Sequence, residues 1–234
     1  MLKFYITIGV GMPPAGHLGI SSLNRPYSTK RLTNAERESF SVSPDLHPII
    51  IGNLLGDLHI NKQRNNSRLV FKQGLINKGY IYHLFELFSS YSNMEVPKHY
   101  EFFDKRSNKS YTSIVFNTYS LPCFNYYYNL FYLENIKIIP LNIGELLTSE
   151  GLAYWAMDDG CKSKNAFYLN TDSFTLDEVE LLIKVLKQNF DLNCTHQIRG
   201  INQYRIYIKT DSMKNFRFLV TPHFHSSMMY KLTV

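Results

Sequence analysis

Two adjacent carboxylates at the end of an apolar run are the clearest candidates in this sequence for a metal-binding or catalytic role. The stretch GLAYWAMDDGCK, residues 151–162, places Asp158 and Asp159 directly before Gly160. If the run is a helix, its C-terminal partial charge disfavours each acid by about 0.3–1 kcal/mol. A divalent cation would offset that cost, and hard oxygen ligands suit Mg²⁺. A plain surface turn, where Asp and Gly are common, is the alternative interpretation.

A second stretch has the same character. IIIGNLLGDLHI, residues 49–60, is an apolar run that ends with Asp57 beside glycine. Aligning Asp57 with Asp159 gives an offset of 102 residues (159 − 57). The presence of both acids at matching positions favours a shared metal site over two unrelated turns, because paired carboxylates repel each other and a cation removes the repulsion.

Small residues predict how the two acids could meet. Gly52 and Gly56 lie four apart on one helix face, and Ala153 and Ala156 give the second stretch a similarly thin face. Such faces let two helix backbones approach more closely than the usual 8–10 Å. The terminal acids of two helices packed in this way would lie at the bottom of their interface.

The elements around the two acids repeat in the same order. Each acid is followed by a strand-like run and then by an amphipathic helix, marked by Ile81, Leu84, Phe85 and Phe88 in one half and by Val179, Leu182, Ile183 and Leu186 in the other. Thr175 with Glu178 predicts a capping box at the start of the second of these helices. Segments 113–124 and 205–216 then align, and a lysine closes each half. Each half therefore reads helix, strand pair, helix, strand pair, helix, which indicates an internal duplication.

The bulk properties favour an anionic partner. The 234 residues carry 25 Lys+Arg against 19 Asp+Glu, a net charge of +6, and the pI is about 9.1. This balance is typical of nucleic-acid binding, although many enzymes are mildly basic. Cys123, Cys161 and Cys194 show no CxxC or zinc spacing, so we expect reduced thiols in an intracellular compartment. No apolar run reaches the length of a membrane span, and we expect no membrane partner.

The first 45 residues differ from the rest of the chain. Acidic residues are absent before Glu36, while Ser, Gly and Pro are frequent. This composition predicts an organellar presequence or a disordered extension over residues 1–45, with an ordered arm as the alternative. Ser43-Pro44 followed by Leu46 predicts a cap and a hydrophobic staple ahead of the first periodic helix.

The two acid-ended stretches also carry a family resemblance. GNLLGDLHI and LAYWAMDDG resemble the two motifs of LAGLIDADG homing endonucleases, in particular the single-chain, double-motif type encoded by fungal mitochondrial introns. SFTLDEVE, DLNC and MMYKL add to the resemblance, which covers residues 46–234. It implies an α/β (α+β) fold with two pseudo-symmetric αββαββα repeats, residues 46–145 and 146–234. The repeats would form a saddle whose β-sheet floor binds DNA in the major groove.

The resemblance also assigns roles to the candidate site residues. Asp57 and Asp159 match the catalytic acids that bind Mg²⁺, for which Mn²⁺ can substitute. Asp158 matches the less critical acid of the motif, which ends or braces the helix. Lys137 and Lys231, which close the repeats, match the basic residues of the active site.

A third pair of catalytic residues, Lys72 and Asn170, matches polar positions near the metal and its waters. Lys72 departs from the Gln, Glu or Asn expected there, although Gln73 is adjacent. By contrast, His59, Cys161, His223 and His225 show no metal pattern and are interpreted as packing or surface groups.

Polar and basic residues of the strand regions are the candidates for DNA contact, because Arg and Lys can read guanine while Asn and Gln can read adenine. The predicted DNA-binding residues are Asn61, Lys62, Arg64, Asn65, Arg68, Lys72, Lys105, Arg106, Lys109, Lys162, Lys164, Asn165, Tyr168, His196, Gln197, Arg199, Gln203, Arg205 and Lys209. For any one of them, a solvated strand face is the alternative.

The function implied by the resemblance is Mg²⁺-dependent hydrolysis of both strands of a long, asymmetric double-stranded DNA site. A monomer would act in the mitochondrion, leave short 3′ overhangs and promote intron mobility. The alternative is an RNA maturase that binds its host group I intron and assists splicing. The retained acids and lysines favour the nuclease. An unrelated basic α/β protein is the third possibility, and it would require the duplication to be accidental.

Overall fold

The structure, a computed structural model, describes residues 31–233. Its α-helices are α1 (Asn34–Glu38), α2 (Leu46–Leu55), α3 (Lys78–Leu87), α4 (Asn125–Phe131), α5 (Ile143–Leu146), α6 (Ser149–Asp159), α7 (Leu176–Phe190) and α8 (Met213–Val220). Its strands are β1 (His59–Gln63), β2 (Asn66–Gly74), β3 (Lys98–Asp104), β4 (Lys109–Asn117), β5 (Tyr132–Leu133), β6 (Ile136–Lys137), β7 (Gly160–Ser163), β8 (Ala166–Asn170), β9 (Cys194–Gly200) and β10 (Gln203–Ile208). No helix between residues 31 and 233 has the length and apolar character needed to cross a membrane.

The two halves have the same topology. Elements α2 to α4 and α6 to α8 each follow the order helix, strand pair, helix, strand pair, helix. Each half builds one antiparallel four-stranded sheet, with strand orders β1-β2-β4-β3 and β7-β8-β10-β9. The mixed α/β fold class and the αββαββα repeats expected from the sequence are confirmed.

Each sheet buries one face beneath helices. In the first repeat, Phe71 of β2 stacks on Phe116 of β4 with ring centroids 4.5 Å apart, and Phe85 of α3 packs edge-on against Phe116. In the second repeat, Phe167 of β8 packs on Phe216 of α8. Because side chains alternate along a strand, the residues between these buried positions point to the opposite, uncovered face.

The repeats meet along α2 and α6, whose backbones touch. A Cβ atom added to Gly52 would lie 2.1 Å from the carbonyl oxygen of Gly151, so only glycine fits there. Ala153 and Ala156, which the sequence proposed as the thin face of α6, are buried, but the backbone contact opposite Gly52 belongs to Gly151. The close approach brings the C-terminal ends of both helices to one place.

Residues 31–45 form an ordered arm against the first repeat. α1 begins with a capping box between Thr33 and Glu36. Arg37 Nη1 donates to the Ser120 carbonyl at 2.6 Å. The ring of Phe40 packs on Tyr91 with centroids 6.0 Å apart. These contacts favour the ordered-arm alternative over a disordered extension for residues 31–45, while residues 1–30 lie outside the described part of the chain.

The start of α2 also differs from the prediction. Its N-cap is Asp45, which makes no side-chain capping bond. Instead, the backbone N–H of Leu46 donates to the backbone carbonyl of Ser43 at 2.9 Å. The backbone N–H of Ser43 donates to the hydroxyl of Tyr91. The predicted side-chain cap is therefore replaced by a backbone turn. By contrast, the predicted capping box of Thr175 and Glu178 is confirmed.

The segment that joins the repeats packs on the second one. The Ile139 N–H donates to the Glu178 carboxylate at 2.8 Å, and Asn189 Nδ2 donates to the Gly144 carbonyl at 2.6 Å. Gly144 also lies against Val185 of α7. The boundary between the repeats was predicted at residue 145, but the chain already contacts the second repeat at Ile139.

Candidate active site and nucleic-acid interface

The ends of α2 and α6 bring three acids together. Asp57 follows the last turn of α2, while Asp158 and Asp159 end α6. The backbone N–H of Asp57 donates to Asp158 Oδ2 at 3.2 Å, across the interface between the repeats. The structure therefore joins residues that are 101 positions apart in the chain.

Gln73 is the polar residue that binds the acids of both halves. Its Nε2 donates to Asp57 Oδ2 at 2.9 Å and to Asp158 Oδ1 at 3.1 Å. Asn77 Nδ2 donates to Gln73 Oε1 at 2.8 Å, which fixes the orientation of the amide. A sequence signal for this role exists, because Gln73 continues the alternating buried positions Leu69 and Phe71 of β2.

Lys72 does not reach the acids. It lies on the uncovered face of β2, with Nζ 5.8 Å from the ring centroid of Phe102. Alternation along the strand is the reason, since neighbouring residues point to opposite faces. The third polar position of the first repeat is therefore held by Gln73. In the second repeat, Asn170 Nδ2 donates to the backbone carbonyl of Asp159 at 2.8 Å.

Asp158 occupies space that the first repeat leaves empty. At the 102-residue offset it aligns with Gly56, and a Cβ atom on Gly56 would lie 2.5 Å from Asp158 Cβ. Asp158 is only 8% exposed. Burial, together with the neighbouring charges of Asp57 and Asp159, raises the Asp158 pKa well above its ordinary value. Sequence reasoning gave Asp158 a bracing role at its own helix end and missed its bonds to the other repeat.

The acids at the two helix ends have perturbed pKa values. Burial, followed by the charge of Asp57, raises the pKa of Asp159 to about 7. Asp57 is an exposed residue, but neighbouring protein atoms displace part of the water around its carboxylate, and this raises its pKa. The hydrogen bond from Gln73 and the positive charge of Lys137 lower the pKa and so oppose that effect. Carboxylates that repel each other at the mouth of a site favour a divalent cation.

The repeat-closing lysines bind the same helix ends. Lys137 Nζ donates to the carbonyls of Gly56 at 2.8 Å and Leu58 at 3.0 Å. Lys231 Nζ donates to the carbonyls of Met157 and Asp158. These bonds satisfy carbonyls that a helix C-terminus leaves without partners, and they place positive charge where the helix dipole is negative. The cost of acids at these helix ends is therefore already partly offset within the protein.

Burial also changes the two ammonium groups. Desolvation lowers the pKa of Lys137 to about 8, although Asp159, Asp158 and Asp57 act in the opposite direction. Desolvation likewise lowers the pKa of Lys231. Both lysines are thus held beside the acids with fixed geometry and with an easier loss of the proton than in water.

The predicted DNA-binding residues fall into three structural groups. Register places one group on the uncovered sheet faces: Asn61, Arg68, Lys72, Lys109, Tyr168, Gln197 and Arg205. A second group lies in hairpin turns and at strand ends: Arg64, Asn65, Lys105, Arg106, Lys164, Asn165, Arg199, Gln203 and Lys209. The third group, Lys62, Lys162 and His196, is in phase with buried residues on the helix side of the sheets.

Contacts confirm the placement of the third group. Lys62 Nζ donates to Asn125 Oδ1 at 3.0 Å, and His196 bonds the carboxylate of Glu180 on α7. These side chains lean towards helices, so they are poorly placed for a ligand on the uncovered faces. Lys162, which pairs with Phe167, is exposed on the same helix side of its sheet.

One arginine of the second repeat is held rigidly on the uncovered face. The guanidinium carbon of Arg205 lies 3.9 Å from the ring centroid of Tyr168. Arg205 Nη2 donates to Gln197 Oε1 at 3.3 Å. Stacking and hydrogen bonding fix the plane of the guanidinium, which is the arrangement that a bidentate contact to a base edge requires.

Comparison with known proteins places this geometry in a family. The model of the LAGLIDADG DNA endonuclease family matches residues 47–216, and the chain belongs to that family. The solved structure of the homing endonuclease I-WcaI bound to its DNA recognition sequence is similar, with a TM-score of 0.77 and 31% identity, and the match covers 83% of this chain and 88% of that one.

Curated relatives carry two kinds of names. A probable intron-encoded endonuclease 1 of Wickerhamomyces canadensis is 32% identical over 88% of this chain and 91% of its own length. The cytochrome b mRNA maturase bI2 of Saccharomyces cerevisiae is 32% identical over 86% of this chain, which spans only 51% of that relative. The Debaryomyces hansenii maturase of the same name is 29% identical, over 99% of this chain and 90% of the relative.

Proposed function

We propose that this family member is a site-specific, Mg²⁺-dependent DNA endonuclease that hydrolyses both strands of a long, asymmetric target as a monomer in the mitochondrion. The observation that carries the proposal is the meeting of Asp57 and Asp159 at the ends of two helices in direct backbone contact. Cutting two strands near each other needs two reaction centres a short distance apart. Two pseudo-symmetric helix ends, each with an acid and a lysine, provide them.

The residues present suit a hard divalent cation. Asp57 and Asp159 would hold it, since each offers carboxylate oxygens whose negative charge is destabilised by burial. Although Asp57, Asp158 and Asp159 lie close together, no group of three His, Cys, Asp or Glu side chains between residues 31 and 233 could hold a metal by itself, so DNA phosphates and water would complete the oxygen shell. When bound, Mg²⁺ supplies an activated water and stabilises charge on the leaving 3′ oxygen.

The remaining side chains position these groups. Gln73 holds Asp57 against Asp158, so the carboxylate of Asp57 keeps one orientation. Lys137 and Lys231 are tethered to the helix ends and stabilise negative charge that develops at the phosphate. Asn170 fixes the backbone of Asp159.

The uncovered sheet faces would bind the duplex on either side of this centre. Their lysines and arginines fit phosphate contact and base reading in the major groove. If the protein makes about 8 phosphate contacts, log affinity should fall with log salt at a slope of about −7. Because the two faces carry different residues, the two half-sites of the target should differ in sequence.

Assistance to intron splicing, with intron RNA as a further partner, is the second candidate. It is favoured by the two relatives named mRNA maturases, at 32% and 29% identity. A maturase without nuclease activity would have no need for the acid pair. The retained pair therefore favours the endonuclease, whether or not the chain also binds RNA.

Incubation of the purified protein with Mg²⁺ and a plasmid carrying the intronless insertion site tests the proposal. We expect one linear product, lost in excess EDTA and in Asp57→Asn or Asp159→Asn. Asp45→Asn is the matched control, because Asp45 lies at the other end of α2 and makes no side-chain capping bond. Cleavage that survives both active-site substitutions would refute the site, and tight binding of intron RNA without any DNA cleavage would favour the maturase.

A further inference from the structure

Three aromatic rings stand exposed on the sheet of the first repeat. Tyr100, Phe102 and Tyr111 are 52%, 49% and 43% exposed, and we call them the aromatic patch. Phe102 of β3 pairs with Tyr111 of β4, and their rings stack with centroids 5.7 Å apart. Tyr100 lies two residues along β3, on the same side as Phe102. Exposure of three adjacent rings is unfavourable in water and indicates a binding surface.

The patch lies on the uncovered face. The residues of β4 that pack under helices are Ile114 and Phe116, whose side chains point away from that of Tyr111. Register places Lys72 and Lys98 on the same face as the patch, and Lys109 follows two residues from Tyr111. Lys72 Nζ lies 5.8 Å from the Phe102 centroid. Three lysines around aromatic rings suit a ligand that is polyanionic at its edge and apolar at its centre.

Duplex DNA offers such a ligand at one kind of base pair. In a duplex the faces of the bases are stacked inside the helix, so an aromatic ring on a sheet meets base edges only. The edges in the major groove carry hydrogen-bonding groups, with one apolar exception, the 5-methyl group of thymine. Phosphates on either side of the groove would meet the lysines.

We propose that the aromatic patch reads the 5-methyl groups of thymines in the half-site that the first repeat binds. The inference rests on the proposed DNA endonuclease function and adds the chemical basis of its specificity. Packing of a methyl group against Phe102 and Tyr111 removes apolar surface of both partners from water. Uracil in place of thymine keeps every hydrogen-bonding group and loses only the methyl.

Deoxyuridine substitution in the target duplex tests this proposal. Thymines in one half-site at a time are replaced by deoxyuridine, and the affinity of the full chain is measured by fluorescence anisotropy in Ca²⁺ or EDTA. We expect a loss of about fourfold for each methyl that is contacted, confined to one half-site. Equal affinity for the thymine and uracil duplexes in both half-sites would overturn the proposal.

Substitution of two phenylalanines on one strand links the effect to the patch. Phe102→Ala should remove the difference between thymine and uracil. Phe103→Ala should keep it, because Phe103 is 56% exposed and points to the opposite face of β3. Thermal melts check that both variants fold. Retained discrimination in Phe102→Ala would place the contact elsewhere and refute the proposal.

Two further outcomes separate this inference from the function on which it rests. Normal cleavage of the target with no discrimination against uracil would overturn thymine reading and leave the endonuclease intact. Absence of both binding and cleavage of the thymine duplex would remove both. If Phe102→Ala weakens binding of single-stranded RNA and leaves duplex discrimination unchanged, the patch is a base-stacking surface and thymine reading is wrong.

Discussion

In both repeats a lysine binds backbone carbonyls at the end of the motif helix, and the repeats differ at one residue beside this lysine. The first repeat then has Gly56 where the second has Asp158, and the carboxyl group of Asp158 fills the space that Gly56 leaves. Because a Cβ atom on Gly56 would lie 2.5 Å from Asp158 Cβ, only one of the two halves can carry such a side chain at this position.

The uncovered faces differ in a related way. The first repeat exposes the aromatic patch, whereas the second holds Arg205 between Tyr168 and Gln197. One face offers apolar rings with lysines beside them, and the other offers a guanidinium that is stacked and hydrogen-bonded. The two repeats thus share a topology, while the residues on their uncovered faces differ.

The largest effect should separate the two neighbouring acids of α6. We expect Asp159→Asn to reduce the cleavage rate by about 10²–10³-fold or more, since it removes a carboxylate that we propose as a metal ligand. Asp158→Asn should cost roughly tenfold or less, because Asp158 is bonded within the protein. Single-turnover cleavage in Mg²⁺ measures both. A greater loss in Asp158→Asn would exchange the roles of the two acids.

The next effect concerns the backbone contact between the repeats. Gly52→Ala should lower the free energy of unfolding by about 3 kcal/mol or more, because its Cβ would lie 2.1 Å from a carbonyl oxygen. Gly151→Ala should cost about 1 kcal/mol, since its Cβ would lie 3.1 Å from the Pro48 carbonyl. Urea unfolding gives both values. Similar losses in the two variants would show that the contact is less asymmetric than the structure indicates.

A smaller effect should follow pH in the metal-free protein. Asp159 has a folded-state pKa of about 7 against an ordinary 3.8, so its stabilising contribution is complete below the lower value and is lost as pH rises through the higher one. We expect the free energy of unfolding to fall by on the order of 1–2 kcal/mol between pH 5 and 7.5, after allowance for the partial exposure of Asp159.

Asp159→Asn is the control for that pH dependence. It removes one of three carboxyl groups with raised pKa values, and Asp57 and Asp158 remain, so the fall with pH should become shallower without disappearing. His83 acts in the opposite direction, because its lowered pKa removes stability as pH falls below the ordinary 6.5, and it contributes equally to both proteins. Parallel pH profiles for the two proteins would mean that Asp159 titrates normally.

Much of the frame could be predicted from the sequence. Helix faces such as Ile81 and Leu84 follow a period that depends only on local spacing, and both residues are buried as expected. The order of elements and the placement of Asp57 and Asp159 follow from the duplication. Lys137 and Lys231 are far from Asp57 and Asp159 in the sequence. Only the family resemblance predicted that these lysines lie near the acids.

The rest depends on contacts between distant residues. Sequence spacing cannot show that the Asp158 carboxyl crosses to Asp57, or that Gly151 meets Gly52. The choice between Lys72 and Gln73 depended on which face of β2 is buried, and the alternation of Leu69 with Phe71 held that information. The same rule, applied to β1, would have set Lys62 apart from the other basic candidates.

The contact between Gly52 and Gly151 has a consequence for the length of the DNA target. The backbones of α2 and α6 are in contact there, so little room is left for the repeats to shift towards each other. One base pair inserted at the centre of a duplex moves one half-site by about 3.4 Å and turns it by roughly 34°. If the chain binds DNA as proposed, we therefore expect the close contact of Gly52 and Gly151 to fix the spacing of the two half-sites that it accepts.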